Sequence, residues 1–291
     1  MTQIRRLLLS IPGKLASRLP GKGLSKLPLV SIFNAFFFHH LNPNGLVLVD
    51  VQGSKMYVDS RDTGVAPYLI EWGYYEKNET ELFKVMVKKG MVVLDIGANI
   101  GYYTLLAARL VGIEGKVFAF EPDPYNSSLL YKNIEVNGYT NIVLVQKAVF
   151  SWSGKMELFL DKKNLGGHSL SMANVNKGNS IITEVTRIDD FFKNSTFKID
   201  LVKMDVQGLE MKVIEGMGNV IKENKGIKII FEFWPWGLQN ADSSPRAFLN
   251  KLVEYGFKLY EIEPYLKPVS INQLLNSCID KKFTTLYCTR A

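Results

Sequence analysis

Three groups of residues in this 291-residue chain have types and spacings that could do chemistry. The first is Asp95, Gly97, Asn99 and Gly101 in "VVLDIGANIGYYTLL", where an apolar run ends in a carboxylate and a glycine turn before a helix-like segment. A strand that hands over to a helix through such a turn brings backbone close to a nucleotide-like ligand. The second is Glu121 in "FAFEPDP", at the end of the next strand-like run, where an acidic side chain can bond ribose hydroxyls. The third comprises Lys203, Asp205 and Glu210 in "LVKMDVQGLE" and Glu232 in "IIFEFWP". These carboxylates stand at the ends of successive apolar runs, the place where an open α/β sheet does its work.

Two ligands compete for the glycine turn. A dinucleotide fingerprint starting at Gly97 needs glycines at 99 and 102, and Asn99 and Tyr102 stand there instead. The pattern present, D-x-G-x-N-x-G, begins with a carboxylate and suits a ligand that carries an ammonium group and a sulfonium rather than phosphates. That ligand is S-adenosylmethionine. Gly97 lets backbone approach it, and Asn99 is a residue type that tolerates positive φ. Asp123, followed by Pro124, reads as the N-cap of the next helix rather than as a ligand contact.

Methyl transfer from a sulfonium is an in-line displacement, so alignment is the main task. An alcohol acceptor must also lose a proton, to a base or with the help of a metal. Asp205, Glu210 and Glu232 are expected to converge; together they could hold Mg²⁺, or one could act as base with a raised pKa. Two other readings stay open: Glu210 caps its own helix, and Lys203 pairs with an acid. His168, in "LGGHSLS", is a further base candidate, since its ordinary pKa near ~6.5 suits proton transfer at neutral pH. Aromatic residues flank the expected mouth: Trp72, Tyr74, Tyr75, Trp234 and Trp236. Trp72 and Trp234 are candidate wall residues against which a sugar could stack.

The elements that must position these residues alternate. Strands are predicted over 91–96, 116–121, 141–146, 199–205, 227–233, 257–263 and 284–289, and helices over 101–111, 124–137, 209–224 and 244–255. Apolar strands alternating with amphipathic helices imply a mostly parallel sheet covered on both faces. The last two strands are expected to pair antiparallel at an edge, giving seven strands. Residues 46–90 form an N-terminal extension with short strands and a polar helix. An insertion at about 150–192 interrupts the 91–291 domain, and its length suggests a lid or binding element.

Net charge is +7, but its position matters more than its size. Arg5, Arg6, Lys14, Arg18, Lys22 and Lys26 all precede the first acid, Asp50, which leaves 29 basic against 28 acidic residues for the body. That near-neutral body argues against a nucleic-acid groove. The basic segment 1–45 has helical apolar spacing and reads either as a membrane-surface helix or as a packing or oligomer arm. Two late cysteines form no disulfide framework, and three histidines give no zinc pattern. A cytoplasmic protein, with peripheral contact at the inner membrane surface as an option, is the expectation. The sequence leaves the oligomeric state open.

"VVLDIGANIGYYT", "FEPDP", "QKAVFSWSG" and "IDLVKMDVQGLEMKVIEGM" occur in this order and spacing. Together they closely resemble the FkbM family of S-adenosylmethionine-dependent methyltransferases. The resemblance implies the seven-stranded Rossmann-like class I methyltransferase fold, and O-methylation of hydroxyls on sugars, glycan components or polyketides. It also implies that Gln146, Lys147 and Ala148 border the adenine. The family pattern around the fourth strand usually reads D-x-E-G-x-E; here Gln207 replaces the first glutamate, which puts a base or ligand role at that position in doubt. The alternative is a protein that keeps the cofactor fold but serves as a binding partner.

Overall fold

The computed structural model describes residues 45–175, 179–280 and 282–290. The basic arm, with its membrane-surface and packing readings, lies outside the described residues except for Gly45. Among the described residues no helix is long and apolar enough to cross a membrane.

The chain opens with an antiparallel hairpin of β1 (Leu46–Val51) and β2 (Ser54–Asp59), followed by α1 (Ala66–Trp72) and α2 (Lys77–Met86). Then come β3 (Val92–Ile96), α3 (Tyr102–Val111), β4 (Lys116–Phe120), α4 (Pro124–Asn137) and β5 (Ile142–Val145). The insertion holds β6 (Ala148–Val149), β7 (Gly154–Phe159), β8 (Ser180–Thr186) and α5 (Ile188–Phe191). The second half runs through β9 (Leu201–Met204), α6 (Glu210–Gly216), α7 (Gly218–Glu223), β10 (Lys228–Phe233), α8 (Pro235–Asn240) and α9 (Pro245–Glu254). It closes with β11 (Lys258–Ile262), β12 (Leu266–Pro268), α10 (Ile271–Ser277) and β13 (Thr284–Thr289).

The main sheet has the order β12-β11-β13-β10-β9-β3-β4-β5. From β10 to β5 every pairing is parallel. These strands are apolar runs because helices cover both faces: every residue of β3 and β9 is buried. One face packs against Val213, Ile214, Phe248 and Leu252 of α6 and α9. The other packs against Leu105, Leu106 and Ala108 of α3 and Phe83 of α2.

Eight strands, not seven, make this sheet. β13 does pair antiparallel with β11, as expected, but it also pairs antiparallel with β10 and so lies inside the sheet. The antiparallel edge is the three-residue β12, where Lys267 and Pro268 discourage further pairing. The helix predicted over 209–224 is broken at Met217 into α6 and α7. There Gly216 passes so close to Phe150 that a Cβ would lie 2.1 Å from its carbonyl oxygen.

The hairpin stays out of the main sheet because α4 occupies its backbone. Asn133 Oδ1 accepts from Tyr57 N at 2.6 Å and Asn133 Nδ2 donates to Tyr57 O at 3.1 Å. Asn137 repeats this pairing at Lys55, with 2.8 and 2.7 Å. In the insertion, β7 and β6 flank β8 in a small separate sheet, with the 160–175 loop between β7 and β8.

Candidate active site

Strand order reverses between β3 and β9, and two cavities open there, beyond the carboxyl ends of the strands. The first encloses about 540 Å³ beside β3, β4 and the insertion. The second encloses about 730 Å³ beside β3, β9 and β10. Gly97, Asn99, Gly166 and Asp205 border both cavities, so the two form one crevice with a shared waist.

The glycine turn forms as the sequence requires. Gly97 has φ +82, Asn99 φ +49 and Gly101 φ +98. The Gly97 and Ala98 N–H groups both donate to Phe120 O at 3.0 Å, which ties the turn to the end of β4. At that end Glu121 is buried, accepting from Asn99 N at 2.7 Å on Oε2 and from Asp123 N at 2.9 Å on Oε1. Burial raises its pKa to about 8 against those two hydrogen bonds. Asp123 caps α4, its Oδ2 accepting from Asn126 N at 2.8 Å.

Glu121, Asn99, Ala148 and His168 all line the first cavity. Gln146 does not: it is exposed. A turn in which Lys147 N donates to Val145 O at 2.8 Å breaks the strand alternation, so Ala148 faces the cavity while Gln146 faces water. Asn126, absent from the sequence expectations, lines the same cavity from the first turn of α4. Its Nδ2 donates to Leu165 O at 2.8 Å. The Oδ1 atoms of Asn99 and Asn126 are buried and have no hydrogen-bond partner. Two orphaned acceptors want donors, which adenine and ribose hydroxyls offer. The residues present therefore fit the adenosine end of S-adenosylmethionine.

His168 is held differently from a base. Its Nδ1 accepts from Asp161 N at 3.0 Å, and burial lowers its pKa, so the neutral ring carries its proton on Nε2 and can only donate with it. The loop around it is clamped by the N-terminal extension. Asp62 accepts from Leu165 N at 2.9 Å and from Gly64, Val65 and Ala66 N–H groups, while Thr63 N donates to Lys163 O at 2.8 Å. Leu165 to Leu170 thus become a fixed wall of the first cavity.

The second cavity has a buried floor of Asp95, Tyr102, Tyr103 and Lys203 and a more open rim of Tyr75, Asn164, Gln207 and Glu232. Asp95 accepts from Thr104 Oγ1 at 2.5 Å, and burial raises its pKa to about 6. Lys203 does pair with an acid, Glu76, at 3.8 Å, and its Nζ lies 4.8 Å over the Tyr103 ring. Glu76 carries no motif of its own; Tyr103 Oη donates to its Oε2 at 2.8 Å.

Of the three carboxylates expected to converge, two border the cavity. Asp205 Oδ1 accepts from Gln207 Nε2 at 2.8 Å. Glu232 is pushed up to about 9, first by burial and then by the charges of Asp205, Glu210 and Glu76. Glu210 is turned inward on its own loop, accepting from Gly208 N at 3.2 Å with Oε2 buried and unpartnered. It lines neither cavity, and burial raises its pKa to about 7. Among the described residues no group of three His, Cys, Asp or Glu side chains has the arrangement to hold a metal ion, Mg²⁺ included.

Trp72 is half-exposed, donating to Glu71 Oε2 at 2.8 Å, and Trp234 packs against Trp236 and Gly237. Neither is a wall of the crevice. Tyr75 is the aromatic residue of that expected set that reaches it.

These raised acids set a pH dependence. A carboxyl whose folded pKa lies above its unfolded value adds stability that is whole below the unfolded value and is lost as pH rises through the folded one. For Glu232 the window runs from the ordinary 4.5 to about 9. Glu232→Gln is therefore expected to flatten the fall in Tm between pH 5 and 9, measured by differential scanning fluorimetry. An unchanged slope would show that Glu232 ionises freely in the folded chain.

The sequence profile described as the methyltransferase FkbM domain matches residues 95–259, more than half of the chain. A cobalt-precorrin-6B C(15)-methyltransferase (decarboxylating) of Saccharolobus solfataricus is 28% identical over 147 residues, which is 47% of this chain and 73% of that relative. A protein-L-isoaspartate O-methyltransferase of Methanococcoides burtonii is 37% identical over 59 residues, 20% of this chain and 29% of its own length. The chain thus matches less than a third of the latter. A solved structure of an S-adenosylmethionine-dependent O-methyltransferase from Thermotoga maritima aligns with a TM-score of 0.42 at 15% identity, over 86% of this chain and 94% of its own.

Proposed function

Because the chain belongs to the FkbM methyltransferase family, and so to the S-adenosylmethionine-dependent methyltransferases, we propose that it methylates a hydroxyl of a sugar, glycan or related small acceptor. The observation that carries this reading is the position of Asp205. Among the described residues it is the one acid that borders both cavities, at the waist where donor and acceptor must meet.

S-adenosylmethionine, when bound, supplies an activated methyl carbon. Asn99, Glu121 and Asn126 would hold its adenosine end, and Ala148 would leave room for a ring. Asp205, its Oδ1 already engaged by Gln207, offers Oδ2 as acceptor for the proton of the hydroxyl. Glu232 keeps its own proton at neutral pH and can donate a hydrogen bond to an acceptor oxygen rather than compete for that proton. Tyr75, Asn164, Gln207 and Glu232 give the rim neutral polar groups suited to a polyol, and Lys203, the single basic residue among the described residues that lines this cavity, lies on its floor. The relatives named above act on other acceptors by their names, so the acceptor class rests on this geometry and on the family.

Two measurements test the reading. The purified protein is expected to bind S-adenosylmethionine or its demethylated product, and not NAD, by calorimetry; the reverse order would overturn the cofactor assignment. Label from the donor methyl group is expected to appear on oxygen when candidate methyl glycosides and glycans are supplied. Label found only on nitrogen or carbon would overturn the hydroxyl assignment.

A further inference from the structure

The floor of the second cavity holds a cation whose purpose the hydroxyl chemistry does not explain. Lys203 is 2% exposed, and its nearest acid, Glu76 Oε2, lies at 3.8 Å, beyond hydrogen-bond distance. That same oxygen already receives the Tyr103 hydroxyl at 2.8 Å. The Tyr103 ring face lies 4.8 Å from Nζ and attracts the charge without accepting a directed bond. A buried ammonium has three donors to satisfy, and the place left for an acceptor is the cavity that Lys203 lines.

The charges around it narrow the ligand. Burial works against the charge on Lys203, but Glu76, Asp205, Asp95 and Glu232 outweigh it and hold its pKa above the ordinary value. The floor therefore presents one firm cation beside the carboxyl groups of Asp95 and Asp205. A polyol needs neither sign, and a phosphate would meet too many acids. A group that carries both signs on adjacent atoms fits: the free amino acid end of the donor, with an ammonium and a carboxylate on one carbon.

We propose that Lys203 Nζ binds the carboxylate of the donor's amino acid end, with Asp95 on the side of its ammonium. The assignment rests on the family reading of the donor and adds a positioning residue to it. With the amino acid end seated on the floor and the adenosine end in the first cavity, the sulfur falls at the shared waist beside Asp205. Tyr75, Gln207 and Glu232 at the rim are then left for the acceptor.

Truncated ligands test this without any acceptor. Calorimetry would compare S-adenosylmethionine, decarboxylated S-adenosylmethionine and methylthioadenosine, which lacks the whole amino acid end, on the wild type and on Lys203→Met. The wild type is expected to bind the intact donor about 10- to 100-fold tighter than the decarboxylated form, the span of a charge-assisted hydrogen bond. Lys203→Met should close that gap to within about threefold and leave methylthioadenosine affinity unchanged, while Lys203→Arg should keep the gap. Should the methionine variant not fold, Lys203→Gln carries the same comparison. No gap in the wild type, a gap that persists without the ammonium, or an equal loss for methylthioadenosine would each overturn the assignment. Failure of the family reading looks different: the wild type would bind none of the three.

Discussion

Asp205→Asn is expected to lower methyl transfer by about 10²- to 10⁴-fold, the usual contribution of a positioned base, while donor affinity stays within a few-fold. The substitution is nearly isosteric, and the asparagine Oδ1 can still accept the 2.8 Å hydrogen bond from Gln207 Nε2. The backbone bond from residue 205 N to Ile96 O, 2.9 Å, is also kept. What is lost is the carboxylate oxygen that takes the acceptor's proton. Single-turnover transfer of donor label, with calorimetry of donor binding alongside, separates the two effects. Full activity in the variant would move the base to Glu232, and the rate would then climb with pH as that carboxyl ionises near about 9. Loss of donor binding in equal measure would mean that Asp205 is chiefly a cofactor contact.

The sequence revealed the sheet and the glycine turn because both depend on local physics. Strands buried on both faces must be apolar runs, so β3, β4, β9 and β10 stand within two residues of their expected bounds. A turn that needs positive φ at three of five positions selects glycine and asparagine, and these are visible as letters. Contacts made by distant segments leave no such trace. Glu76 meets Lys203 only in the folded chain, and nothing near Glu76 marks it. His168 had the right chemistry for a base by type, but one backbone N–H from Asp161 leaves it a donor. Asn126 was within reach of sequence reasoning: three residues after the Asp123 cap, it lies in the first turn of α4, at the carboxyl end of β4. Gln207 is the clearest gain. As a departure from the family's glutamate it read as a lost ligand; in place, its amide can donate to Asp205, which an ionised glutamate could not.

Gly97→Ala is expected to destabilise the fold by roughly 2–5 kcal/mol and to weaken donor binding at least about tenfold, well beyond the effect of Gly101→Ala. Both glycines have positive φ, +82 and +98, so both substitutions carry a similar backbone cost. They differ in what the new methyl group meets. At Gly101 it would lie 2.3 Å from Leu130 Cδ1, the end of a side chain that can rotate. At Gly97 it would lie 1.9 Å from the carbonyl oxygen of Asp205, a backbone atom held by its place after β9. The turn cannot retreat either, because Gly97 N and Ala98 N are both bonded to Phe120 O. Relief must come from separating β9 from β3, which shifts Asp205 and opens the waist between the two cavities. On the proposed reading the glycine serves Asp205 as much as the donor. Urea melts and donor calorimetry on the two alanine variants would show it: equal, small effects at 97 and 101 would mean that Asp205 does not close over the turn, and that its position at the waist is wrong.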